Sequence, residues 1–68
     1  MEENTQVSYA VICSGHVITE AERAGFHAYS TGLLTVVRIA AESPAEARKI
    51  ATDHGWRVLA VGELKDAT

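Results

Sequence analysis

The sequence predicts a small α+β domain of two layers, in which one helix packs on a mixed sheet of three or four strands. Two kinds of observation predict this class. Runs of β-branched and apolar residues at 7–13, 33–42 and 56–64 are typical of strands, and residues 43–55 carry the start and stop signals of a helix. The predicted order is therefore β-β-α-β.

In each of the first two predicted strands, successive side chains point to opposite faces, and one face is more apolar than the other. In residues 7–13 β-branched and aromatic residues dominate, and one face carries Val7, Tyr9, Val11 and Cys13, at every second position. In residues 33–42 one face is almost wholly apolar and is the predicted core face, whereas the other carries Arg38 and Glu42 among apolar residues. The predicted core face consists of Leu33, Thr35, Val37, Ile39 and Ala41.

The predicted helix at 43–55 has unusually complete end signals. Ser43 can cap the first turn, Pro44 suits the first helical position, and Glu46 completes a capping box. Gly55 can adopt the left-handed conformation that ends a helix. A crossover of this length suits two strands that run parallel, so we predict a parallel pair.

The last predicted strand, at 56–64, is apolar on both faces, with Leu59 and Val61 on one of them. One helix cannot cover this much apolar strand surface, so we expect a homodimer or a bound partner to cover the remainder. The residues predicted for that surface are Leu34, Val36, Leu59 and Val61.

The segment between the first two strands allows two interpretations. Thr19 and Glu22 match a capping box and Gly25 could end a short helix over 20–24. Alternatively, the flanking strands extend as a hairpin with residues 19–25 at its tip. We favour the hairpin, because a helix of one turn gains little from local propensity.

The 68 residues predict a single domain, with polar tails at 1–6 and 65–68. The formal charge of -3 and the lack of a basic run make direct nucleic-acid binding unexpected. A single cysteine, and no signal peptide or membrane span, indicate a cytoplasmic protein, or the host cytoplasm if a phage encodes it.

Cys13, His16 and His27 are close in sequence and could form a metal or cysteine-dependent site. The second pair of ligands that a zinc site usually has is absent, and Glu20 and Glu22 would raise a thiol pKa nearby. We therefore expect no enzyme activity, metal or cofactor, with a buried cysteine and surface histidines instead. The metal or cysteine site remains the alternative.

Several residues are of the types that dominate protein interfaces. Arg38 lies among apolar residues, which is a pattern more typical of a partner-facing patch than of a solvated face. The predicted partner-binding residues are Arg23, His27, Tyr29, Arg38, Trp56 and Arg57.

The segment TVVRIAAESPAEARKIATDHGWRVLAVGEL, within residues 33–64, contains the pattern AES-x-x-EA-x-x-IA. It resembles small phage- and plasmid-encoded strand–helix–strand proteins, namely DpnD/PcfM-like proteins and compact type I-F anti-CRISPR inhibitors. The resemblance implies a phage-encoded inhibitor that covers a surface of a host defence complex such as CRISPR-Cas. The shared positions are structural, so no functional residue is carried over. A dimeric nucleic-acid-binding accessory protein is a further alternative.

Overall fold

The computed structural model describes residues 6–64 and confirms the α+β class with two layers. The predicted tails, apart from Gln6, lie outside the described residues. Neither helix within 6–64 has the length and apolar character needed to cross a bilayer. In chain order the elements are β1 (Val7–Ser14), α1 (Ile18–Arg23), β2 (His27–Thr31), β3 (Leu34–Ala41), α2 (Pro44–Asp53) and β4 (Val58–Glu63).

The four strands form one sheet in the order β2-β3-β1-β4, and every neighbouring pair is antiparallel. α1 links β1 to β2, which lie on either side of β3, and α2 links β3 to β4, which lie on either side of β1. A β-α-β-β-α-β chain with two such interleaved crossovers has the ferredoxin-like topology.

The prediction of a mixed sheet with a parallel pair is wrong. β3 and β4 do run in the same direction, as the crossover length indicated, but β1 lies between them and pairs antiparallel with both. The sequence of 33–64 shows the direction of the return strand. The sequence of 33–64 does not show that β1, from the first half of the chain, lies between β3 and β4.

α2 forms as predicted from its end signals. The Ser43 hydroxyl accepts a hydrogen bond from the Glu46 N–H at 3.1 Å, and Pro44 begins the helix. The Glu46 carboxylate accepts from the Glu42 N–H at 2.8 Å, one residue before the position a standard capping box uses. Gly55 follows the helix with φ 87°, the left-handed conformation expected of it.

Residues 18–23 form α1 instead of the favoured hairpin, so the hairpin prediction is wrong. The domain therefore has two helices where one was predicted. The predicted cap Thr19 lies inside the helix, and Val17 at the actual N-terminus makes no side-chain cap. The cap comes instead from β3: the buried Thr35 hydroxyl accepts from the Val17 N–H at 3.1 Å and donates to the Gly15 carbonyl at 2.6 Å. A tertiary contact therefore fixes this helix start.

Both helices pack on the same face of the sheet, which we call the helix-covered face. Ala21 on α1 and both Ala47 and Ala51 on α2 are fully buried there, and these small side chains let the helices lie close to the strands. The buried strand residues beneath them are Tyr9, Val11, Cys13, Val37, Ile39 and Ala41.

β4 contains a β-bulge that the sequence pattern did not reveal. Ala60 lies opposite Ile12, and Val58 lies opposite Cys13, so Leu59 is an extra residue between two pairs. A bulge of this kind interrupts the alternation of side chains along the strand.

The bulge corrects the predicted pairing of Leu59 with Val61 on one uncovered face. Val61 lies opposite Val11 and packs against the core beneath the helices. Leu59 is 53% exposed at the outer edge of the sheet. These two residues therefore belong to different surfaces.

Candidate functional site

The second face of the sheet, which we call the open face, has no helix of the described residues packed on it. Both helices lie on the opposite side, so the even-numbered residues of β1 and β3 remain uncovered by them. Its apolar centre is continuous across the sheet. The division of β3 between core and second face agrees with the prediction except at Leu33, which was predicted for the core face but lies in the turn before β3 and is 80% exposed. The open face includes Ala10, Ile12, His27, Tyr29, Leu34, Val36, Arg38, Ala60 and Leu64.

The open face contains a depression with a volume of about 300 Å³. Val36 forms part of its lining and is only 9% exposed, although no helix covers it. Tyr29 lies opposite Val36 on β2 and is 62% exposed. The lining residues are Ala10, His27, Tyr29, Val36, Arg38 and Leu64.

Arg38 on β3 is the positively charged residue in the lining of the depression. Arg38 is paired in register with His27 on β2 and with Ala10 on β1, so its cation lies beside apolar side chains. None of the lining residues of the depression is acidic. The lining combines apolar side chains with a tyrosine and an arginine, two residue types that are enriched at protein interfaces.

The structure brings together five of the residues predicted for binding or for covering the sheet. His27, Tyr29 and Arg38 lie on the open face, and Leu34 and Val36 lie on the same face of β3. Arg23 and Arg57 are exposed elsewhere: Arg23 is in the last turn of α1, and Arg57 precedes β4. The predicted interface residues therefore do not form one surface.

Trp56 is part of the core rather than an exposed anchor, since it is only 7% exposed. Its ring stacks on His54 with centroids 4.7 Å apart, and Phe26 meets both rings edge-on at 6.0 and 5.7 Å. Its backbone N–H donates to the Ala51 carbonyl at 3.2 Å, so Trp56 folds back on the end of α2.

The same helix ending occurs twice, and sequence reasoning missed this repeat. The N–H of Phe26 donates to the Ala21 carbonyl at 2.9 Å, which matches the bond from Trp56 at the end of α2. Each helix thus ends in a Schellman motif with a glycine followed by an aromatic residue. The pattern A-x-x-x-G-[FW], at 21–26 and 51–56, is the signal that could have revealed α1.

Cys13 and His27 lie on opposite faces of the sheet, which contradicts their use in one site. Cys13 is fully buried on the helix-covered face, and burial raises the pKa of its thiol. His27 is exposed on the open face, and His16 is exposed with Nδ1 3.2 Å from the Ser30 hydroxyl. Within residues 6–64 no three His, Cys, Asp or Glu side chains are grouped as metal ligands would be.

Leu59 lies beside a separate groove at the edge of the sheet. This groove, about 290 Å³ in volume, runs between the start of α2 and β4. It is lined by Pro44, Ala45, Arg48, Val58, Leu59, Ala60 and Val61.

No protein-family model matches the chain, and neither a curated protein nor a solved structure is found to match it.

Proposed function

We propose that this chain is a non-enzymatic protein-binding module that contacts its partner through the open face. The observation that carries the proposal is the depression beside Val36, on the face that neither α1 nor α2 covers, with Tyr29 and Arg38 in its lining. Protein interfaces are enriched in tyrosine and arginine around an apolar centre, and a few such residues supply most of the affinity.

The partner is a protein segment that presents a large apolar side chain. The apolar group would fill the depression between Ala10 and Val36, beside Tyr29 and Arg38. The volume of about 300 Å³ is at the lower end of the range for ligand pockets and is large enough for a side chain of a partner. A phage-encoded inhibitor that covers a host defence complex is the target class implied by the resemblance of residues 33–64, and it remains a prediction.

Charge reversal at Arg38 tests the proposal. The Arg38→Glu variant should lose partner binding and keep its fold, because Arg38 is exposed and its charge faces the depression. Arg48→Glu is the matched control, since Arg48 is exposed on α2, on the other side of the sheet. Both variants change the net charge equally.

The measurement is capture of partners from the natural host by the wild-type chain and both variants, followed by titration with the purified partner. We expect a binding loss of more than tenfold for Arg38→Glu and little change for Arg48→Glu. Equal binding by all three chains would show that the open face is not the contact. Binding to single-stranded RNA or DNA that weakens steeply with salt would favour the nucleic-acid alternative instead.

A further inference from the structure

The two outer strands of the sheet differ in how well their free edges are protected. In the described part of the chain, β2 and β4 each pair with one strand only. β4 carries the Leu59 bulge, Gly62 and the acidic Glu63, all of which hinder pairing with a further strand. β2 is regular along its whole register with β3, and it has no proline and no lysine, arginine or acidic residue. β2 is therefore the edge that another strand can join.

The turn after β2 determines which backbone groups face that edge. Gly32 and Leu33 form a two-residue connection, with φ 65° at Gly32 and a negative φ at Leu33, as a type II′ turn requires. The residues that flank such a turn are a hydrogen-bonded pair, and these pairs alternate along the ladder. Thr31, Tyr29 and His27 therefore bond inward to β3.

The remaining two residues of β2 direct their backbone groups outward. The N–H and C=O groups of Ala28 and Ser30 face away from β3, and no strand of residues 6–64 accepts them. Two donors and two acceptors, spaced along a straight edge, are what an incoming antiparallel strand needs.

We propose that two copies of this chain pair through β2, antiparallel, about a two-fold axis at Tyr29. In this register Ala28 of each copy exchanges two hydrogen bonds with Ser30 of the other, so all the outward groups of both residues are paired. The two sheets become one continuous sheet of eight strands. This proposal does not depend on the function proposed for the open face.

The side chains of β2 are compatible with this register. Tyr29 meets its own copy in a pair without backbone bonds, where side chains approach most closely, and its 62% exposed ring gains an aromatic neighbour. His27 lies opposite Thr31, so no like charges oppose each other. Because the contact is smaller than a standard interface, we expect a dissociation constant of roughly 0.1 mM.

Disulfide trapping tests the register. In a Tyr29→Cys variant the two introduced thiols face each other within the Cα separation that a disulfide requires. In a Thr31→Cys control they lie about 14 Å apart along the paired strands. Cys13 is buried and stays unreactive in both. Under mild oxidation we expect covalent dimer from Tyr29→Cys at least tenfold faster than from Thr31→Cys, and equal rates, or no dimer from Tyr29→Cys, would overturn the proposal.

Sedimentation equilibrium supplies a second, independent measurement. Ser30→Pro removes an outward N–H without removing a bond to β3, and it should weaken association at least tenfold while circular dichroism stays unchanged. Arg38→Glu should associate like the wild type, which separates this interface from binding at the open face. If Ser30→Pro does not fold, the trapping experiment decides. A wild-type chain that is monomeric at millimolar concentration would show that the β2 edge does not take a second copy.

Discussion

Ile39 and Ile12 lie on the two central strands of one sheet, but on opposite faces of it. Ile39 is fully buried beneath the helices, whereas Ile12 is half-buried on the open face. Ile39 therefore contributes to the folded core, whereas the side chain of Ile12 is still partly exposed to solvent or to a partner. The difference indicates that the stability of the domain comes mainly from the helix-covered face, and that the apolar groups of the open face can serve binding.

The largest expected effect comes from truncating these two isoleucines separately. Ile39→Ala should cost about 2–5 kcal/mol of unfolding free energy, because it leaves a cavity among packed neighbours. Ile12→Ala should cost about 1 kcal/mol or less, since its side chain is partly in solvent already. Urea unfolding of both variants measures the difference. Equal costs would mean that the open face is covered, by another copy or by chain outside 6–64.

A buried and an exposed threonine allow the same comparison with smaller expected changes in unfolding free energy. Thr35→Val keeps the shape of the side chain but removes the hydroxyl that bonds Gly15 and Val17, which should cost about 1–3 kcal/mol. Thr31→Val, on the exposed outer strand, should change the unfolding free energy by about 0.5 kcal/mol or less.

Amide hydrogen exchange can show whether Thr35→Val loosens the start of α1 locally or weakens the packing of the whole core. In Thr35→Val the amides of 18–23 should exchange faster than those of α2, because the lost bonds hold only the start of α1. Uniform acceleration in both helices would contradict a local role for Thr35.

The last expected effect is a dependence of stability on alkaline pH through Cys13. Burial raises the pKa of the thiol, so the folded chain keeps its proton at pH values where the unfolded chain releases it. Stability is therefore full below about pH 8.5 and falls above it, by at most about 1.4 kcal/mol per pH unit, until the folded thiol also ionises.

Urea unfolding between pH 7 and 10.5 measures this slope. The control is Ala10→Cys in a Cys13→Ala background, which moves the thiol three residues along β1 to the open face. Its slope in the alkaline range should be smaller. An identical slope in both chains would show that the helix-covered face does not hold the thiol protonated.

Most of the fold was predictable because its signals are local. β1, β3 and α2 occur within one or two residues of their predicted bounds, since alternating apolar runs and the Ser43 and Gly55 caps act over a few residues. The division of β3 into a core face and a second face also followed from the alternation around Arg38.

The rest depends on contacts distant in sequence. α1 has no side-chain cap of its own, and the Thr35 hydroxyl that fixes its start lies 18 residues beyond Val17. The order of the strands and the Leu59 bulge are likewise properties of pairing between distant segments. The composition of the open face was predictable in part, but Trp56 and Val61 were misplaced because burial on the helix side was underestimated.

The Leu59 bulge also limits how these molecules can assemble. A molecule with two straight sheet edges can accept a neighbour on each side, and repeated addition produces a ribbon that grows without limit. Of the two sheet edges within residues 6–64, the β2 edge is regular, and the distorted β4 edge discourages a third molecule. One extra residue would thus favour a closed pair over fibrous growth.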